Sequence, residues 1–268
     1  MDFSGLTGLL AYYQNIDVFL LIMVRLFGFI IILPVFAGAN IPLVVKISFA
    51  LFLTAIVFST GKYGAAPVAD HIVGYVALIL KEFLVGFITA FIVYMMLSVF
   101  LFIGQLVDFQ VGFSMVSVFD PVSQIQVPIT GNLFYLLVTF LFIQMGGLDA
   151  MIYTIARSYE VLPVGSAFLA GNASILRYVI DTVVDYFILG VKFSMPIVGT
   201  VMIVDIALGI LTKAVPQMNV FVVGVPIKLL IGLIVLYMII PAFGAIYGSV
   251  YDQTVRYVMN ALRGMVPR

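Results

Sequence analysis

The sequence has no cysteine and a single histidine, His71. That scarcity excludes disulfides, haem attachment through thiols and Cys/His metal sites, so no metal and no cofactor are expected. His71 follows Asp70 where a loop meets a helix and reads as an ordinary interface residue. Charge is almost as rare, at 9% of residues, against about 25% in soluble domains. Twelve Lys and Arg balance twelve Asp and Glu, so no net field draws in nucleic acid or an acidic surface. Carboxylates scattered along the chain, without Cys and with one His, make no nucleophile, acid–base pair or metal constellation, and no enzyme is expected. What is abundant is apolar: 64% of residues are hydrophobic and mean hydropathy is +1.27. The chain is expected to be an integral membrane protein. Its opening, "MDFSGLTGLLAYYQNID", has no basic region and no small-residue cleavage site, and is expected to belong to the mature protein.

A hydrocarbon layer of ~30 Å needs ~20 mostly apolar residues as helix. Phe83–Val107 and Leu229–Tyr251 satisfy this without a charge. The other runs are flawed: Ile16–Leu33 holds Arg25, Val44–Ser59 is short and holds Lys46, and Leu133–Leu148 is near the lower limit. Tyr178–Leu211 is overlong and carries Asp181, Asp185, Lys192, Pro196 and Asp205. The reading is all-α, about six kinked or broken helices or helical hairpins. Breaks are predicted where Pro and Gly cluster, at 34–42, 61–67, 105–128, 162–172 and 214–226, because Pro removes a donor and Gly permits positive φ. No internal repeat and no soluble domain are evident. The C-terminal tail carries Arg256, Arg263 and Arg268 against Asp252, while the first fifteen residues hold no basic group. The positive-inside rule then predicts a cytoplasmic C-terminus.

Arg25, Lys46, Lys81, Glu82, Asp181, Asp185, Lys192 and Asp205 lie within or beside apolar runs. A charge at mid-bilayer costs ~2.5–3.5 kcal/mol on insertion scales, so these residues cannot all face lipid. On a helix, Asp181, Asp185 and Lys192 fall within ~40° of one another, a stripe of mixed sign. A structural ion pair between helices is favoured over a proton or ion relay, and the same holds for Lys81 and Glu82. Gly74, Gly86, Gly104, Gly190, Gly199 and Gly209 interrupt bulky helices, where another backbone can approach closely. Together these features suggest a subunit covered largely by other proteins.

Three blocks are distinctive: "RLFGFIIILPVFAGANIPLVVKISFAL" (25–51), "GQLVDFQVGFSMVSVFDPVSQIQVPITG" (104–131) and "LTKAVPQMNVFVVGVPIKLLIGL" (211–233). Together they resemble the FliR family of flagellar export-gate proteins, whose injectisome counterparts share the Asp-Pro block more loosely. The resemblance spans nearly the whole chain, read as one FliR-like membrane domain over 1–268 without an FlhB-like extension. It implies a subunit of the type III secretion export gate in the inner membrane, within the flagellar basal body. FliP-like and FliQ-like subunits would complete a conical pore, with FlhB and FlhA nearby. Unfolded flagellar subunits would be the cargo and membrane lipids a further contact. Arg25, Lys81, Glu82, Asp108, Asp181, Asp185, Lys192 and Asp205 would then be subunit-interface charges.

The resemblance also implies that residues 105–128 form a plug closing the resting pore. That stretch has four glutamines and no Lys or Arg. Phe109 and Phe113, four apart, are expected on one helical face, filling the lumen with Met115 and Phe119. Gly112 and Pro121 are places for the chain to turn back. Asp120 before Pro121 favours a turn start, and Asp108 is expected to anchor the loop base to a basic partner. Ordinary core packing of each Phe is the competing reading. In the other block, Pro216, Gln217, Asn219, Phe221, Gly224, Pro226 and Lys228 read as a hairpin motif between the last two helical segments, with a structural role favoured. The rival to a gate subunit is a secondary transporter or proton channel using Asp181, Asp185, Lys192 and Asp205. Transporters of that kind show paired repeats, and none is found here.

Overall fold

The computed structural model describes residues 4–37, 41–64, 71–113, 128–168, 173–217 and 219–266, with the side chains of 4–15, 173–174 and 220–221 left out. These residues are predominantly helical, and no strand occurs among them. In chain order they form α1 (Ser4–Ile32), a short α2 (Pro34–Ala37), α3 (Leu43–Thr60), α4 (Ile72–Val111) and α5 (Ile129–Gln144). There follow α6 (Gly147–Val161), α7 (Ala173–Ala214), α8 (Val220–Ile239), a 3-10 turn (Ile240–Ala242) and α9 (Phe243–Gly264).

Among the described residues, four helical stretches are long and apolar enough to cross a membrane: Leu43–Thr60, Ile72–Val111, Ile175–Ala214 and Val222–Gly264. The pair α5 and α6 is a fifth if counted as one broken span. Two helices greatly exceed the requirement. α4 has 40 residues and α7 has 42, about 60 Å each at 1.5 Å per residue, against a hydrocarbon layer of ~30 Å. Only part of each can lie in the bilayer core.

Several expected breaks are displaced. The uncharged run Leu229–Tyr251 is interrupted by the turn Ile240–Ala242, because Pro241 lacks an N–H and its ring crowds the preceding turn. Pro196, by contrast, sits inside an unbroken α7, where the Thr200 hydroxyl bonds to the Pro196 carbonyl at 2.7 Å. The turn predicted over 214–226 is shorter, for α8 begins at Val220 and contains Pro226. Residues 105–111, expected in a loop, are the last turns of α4.

The chain separates into two compact units. One comprises 1–95, 146–182 and 253–268, the other 96–145 and 183–252. In the first unit, α1 buries Leu21, Ile22, Leu26, Phe29 and Ile30, a helical stripe that includes Arg25. α3 packs on α1, with Phe19 and Phe58 edge to face at 5.6 Å between centroids. Gly86 of α4 lies so close to α1 that a Cβ would fall 2.0 Å from the Arg25 carbonyl oxygen. The last turns of α9 bury Val258, Ala261 and Leu262, with Met265 buried just beyond them, while Arg256, Asn260 and Arg263 face outward.

In the second unit, Phe100, Phe134 and Phe243 form a ring cluster with centroids 5.0 to 5.2 Å apart. α7 buries only a narrow stripe, including Tyr186, Ser194, Ile197 and Val201. For α7 and the α8–α9 stretch, just 17% of the most apolar window is buried within the chain. Leu230, Leu233, Ile234, Tyr237 and Met238 of α8 are exposed.

Candidate functional site

Two arrangements of polar groups stand out among the described residues, one in each unit. In the first, Arg25 and Glu82 are completely buried and bonded to each other. Arg25 Nε donates to Glu82 Oε2 at 2.6 Å and Nη2 to Oε1 at 3.1 Å. The remaining nitrogen, Nη1, donates to Ser158 Oγ at 3.2 Å and the Leu162 carbonyl at 2.9 Å. Glu82 Oε1 also accepts the Gly165 N–H at 2.8 Å. The guanidinium lies 4.2 Å from the centre of the Tyr159 ring, whose hydroxyl donates to the Ile22 carbonyl. Desolvating two charges costs several kcal/mol per ion, and the cost is offset only when the geometry is good and the leftover donors and acceptors are occupied. Here fork meets fork and the leftover groups are bonded.

Arg25 and Glu82 were expected among charges turned toward another subunit. This is corrected: both are enclosed by their own chain, because α1, α4, α6 and the turn that follows α6 supply every partner described above. The neighbour of Glu82 in sequence, Lys81, is half-buried on the next face of α4 and is not its partner.

In the second unit the final turn of α4 is held on three sides. Asp108, 3% exposed, turns its carboxylate to the start of α5. There it accepts the Thr130 N–H at 3.0 and 3.1 Å and the Gly131 N–H at 3.3 Å. The expected basic partner for Asp108 is replaced by backbone N–H groups of its own chain, a second correction. Gln110 Nε2 donates to Asp205 Oδ2 at 3.0 Å, and Asp205 pairs with Lys228 at 2.8 Å. Val111 fills the space above Gly232 of α8, where a Cβ would come within 2.7 Å. Asp205 is thus engaged by α4 and α8 within the chain, with its side chain 41% exposed. Asp181, Asp185 and Lys192 occupy exposed positions of α7.

Of the predicted plug residues, Phe109, Gly112 and Phe113 are described, while Met115, Phe119, Asp120 and Pro121 lie outside the described residues. Phe109 is on α4 and 77% exposed, unlike its buried neighbour Asp108. The shared helical face expected for Phe109 and Phe113 does not exist. α4 ends at Val111, and Gly112 has φ +99°, a conformation glycine adopts without steric cost. Phe113, past that turn, is half-buried. In the hairpin motif, Pro216 and Gln217 form the exposed turn between α7 and α8, and Asn219 immediately precedes α8. Gly224, Pro226 and Lys228 are within α8, while the side chain of Phe221 lies outside the described residues.

The glycines divide. Gly86 and Gly104 meet backbone and Gly190 meets the Phe102 ring, but Gly199 and Gly209 have nothing within 4 Å of an added Cβ. Gly131, Ser158, Tyr159 and Gly165 were missed by sequence reasoning. Each contributes a backbone group, a hydroxyl or a ring face whose use depends on a distant residue, and no local signal marks them.

Comparison with known proteins agrees with the blocks singled out above. A family model described as "Bacterial export proteins, family 1" matches residues 16–254. A flagellar biosynthetic protein FliR of Bacillus subtilis (strain 168) is 32% identical over 246 residues, 91% of this chain and 94% of that protein. Another of that name, from Aquifex aeolicus (strain VF5), is 30% identical over 81% of this chain and 83% of its own. The surface presentation of antigens protein SpaR of Shigella flexneri is 24% identical over 85% of this chain and 88% of its own. An all-helical membrane chain with these matches over nearly its whole length belongs to the bacterial export proteins of family 1, the FliR family.

Proposed function

We propose that the chain is a core subunit of a flagellar type III protein export gate. The observation that carries this reading is the 32% identity to a flagellar biosynthetic FliR over 91% of this chain and 94% of that relative. In this reading it builds, with FliP-like and FliQ-like subunits, the pore through which unfolded flagellar proteins leave the cell, beside FlhB and FlhA. The site is the inner membrane at the flagellar basal body, with the C-terminus and its Arg256 and Arg263 in the cytoplasm. Supporting the reading, α7 and α8 leave most of their apolar surface uncovered, and Asp181 and Lys192 share that uncovered surface of α7. Lipid is a poor solvent for such a stripe, whereas neighbouring helices satisfy it.

The stretch following α4 acts as the plug of the resting pore. Exposed Phe109 at the end of α4 and the glycine turn at Gly112 support this, since irregular backbone at membrane depth is tolerated where protein or a cavity surrounds it. Apolar side chains in a narrow constriction hold it closed by expelling water. Deleting residues 113–120 in the assembled complex raises the leak of small ions across the membrane. Normal assembly with an unchanged leak would remove the plug from the reading.

A further inference from the structure

We propose that residues 162–168 are a strap by which the docking of α9 controls whether the buried Arg25–Glu82 pair is tolerated. The chain thereby carries its own check on folding: two charges placed by early helices are fully satisfied only once α9 is seated.

The strap follows α6 and is non-helical, yet its Leu162, Val164 and Ala167 are buried. Connecting segments ordinarily stay at the surface, because buried backbone groups must find partners. Here the partners come from four separate elements of one unit. The Leu162 carbonyl accepts from Arg25 Nη1 of α1 at 2.9 Å, and the Gly165 N–H donates to Glu82 Oε1 of α4 at 2.8 Å. The Val164 N–H donates to the Tyr63 carbonyl, just past α3, at 3.1 Å, and the Phe168 N–H to the Met265 carbonyl, just past α9, at 2.9 Å. Gly165 turns the backbone with φ +77°, a conformation open to glycine without steric cost.

The two ends of the strap are held differently. Its start continues α6, where the Leu162 N–H donates to the Ser158 carbonyl at 2.7 Å. Its far end is held at α9, whose Ala261 and Leu262, with Met265 beyond them, are fully enclosed. α9 is braced in turn against the start of α7, where the Tyr178 hydroxyl donates to the Tyr257 carbonyl at 3.2 Å. Seating α9 therefore restrains the residues that bond Arg25 and Glu82, through a backbone bond close along the chain to Gly165. A buried pair whose leftover donors and acceptors lose their partners is costly, since its desolvation is no longer offset. A chain with α9 loose opens locally at the strap, holds a poorly satisfied pair, and is the form cleared from the membrane.

The sequence has no cysteine, so Ala167→Cys places a single thiol in the buried strap. Its labelling by a membrane-permeant maleimide and the lifetime of the full chain are read in intact membranes, with the companion subunits produced alongside. Leu262→Asp, which sets a charge in the face that α9 buries, should speed labelling by about 5- to 30-fold and shorten the lifetime. In a chain carrying Arg25→Leu and Glu82→Leu the labelling should still rise, whereas the loss of lifetime should shrink by about threefold or more, the mark of coupled sites. Where Leu262→Asp leaves too little chain to label, Leu262→Ala is read in the same way. Labelling unchanged by these substitutions would overturn the strap. Faster labelling with an equal loss of lifetime in both backgrounds would overturn the check on the charges, since independent sites add.

Discussion

Among single residues, the buried charges carry the largest energies. Removing one partner of a buried ion pair strands the other and costs about 3–5 kcal/mol, whereas replacing both by apolar groups is often neutral. Arg25→Leu or Glu82→Gln should therefore sharply lower the thermal unfolding midpoint or the yield of assembled complex. Arg25→Leu with Glu82→Leu should recover much of that loss, though Ser158 Oγ, the Leu162 carbonyl and the Gly165 N–H would still lack Arg25 or Glu82 as partner. A double variant less stable than both single ones would refute this assignment. Gly104→Ala should cost about 1–3 kcal/mol, the usual penalty for overpacking, because the added carbon meets backbone that cannot rotate away. Gly199→Ala, with open space around it, should leave the same unfolding measurement unchanged or slightly raised. Sequence reasoning picked both glycines for the same reason. It could not separate them, because whether a glycine faces a neighbouring backbone depends on which helix lies opposite.

For the helical elements, the informative places are the breaks. The break between α5 and α6 falls at Gly146, with φ +71° and nothing within 4 Å of an added Cβ. Gly146→Ala should thus cost only the backbone penalty of about 1–2 kcal/mol for a left-handed residue, and Gly146→Asn less, as read by thermal unfolding of the complex. Equal stability of Ala and Gly would show that the left-handed residue does not limit the break. Between α7 and α8 the Asp205–Lys228 pair with Gln110 joins three helices. Lys228→Met should destabilise by about 1.5–3 kcal/mol, the range for a lost hydrogen bond to a charged group. Exchanging the two residues should recover part of it. The elements themselves were largely legible from the long apolar runs. Their ends were not: Pro196 is absorbed within α7 while Pro241 interrupts, though both follow similar apolar stretches.

At the scale of the whole molecule, the chain has too little polar surface for water and too much at depth for oil. Helices of about 60 Å overreach a bilayer core of ~30 Å, and α7 and α8 leave most of their apolar surface bare. The chain purified alone in detergent should aggregate or run as a mixture of sizes, and should become monodisperse when produced with the companion subunits of its gate. A folded, monodisperse monomer would count against an obligate assembly. Mass measurement of the co-purified particle supplies the stoichiometry directly.

Composition and hydrophobic pattern alone determined that this chain is helical, that it belongs in a membrane, and that its charges need something other than lipid. The three ordered blocks determined its family. These are properties of local runs and of residue types, which need no knowledge of what packs on what. Only the tertiary structure decided the partners: Glu82 with Arg25 rather than Lys81, and Asp108 with the start of α5 rather than a basic group. Those pairings depend on the rotational phase of each helix and on which helices meet. Phase and docking are set by the packing of many side chains at once, and no single stretch of sequence encodes them.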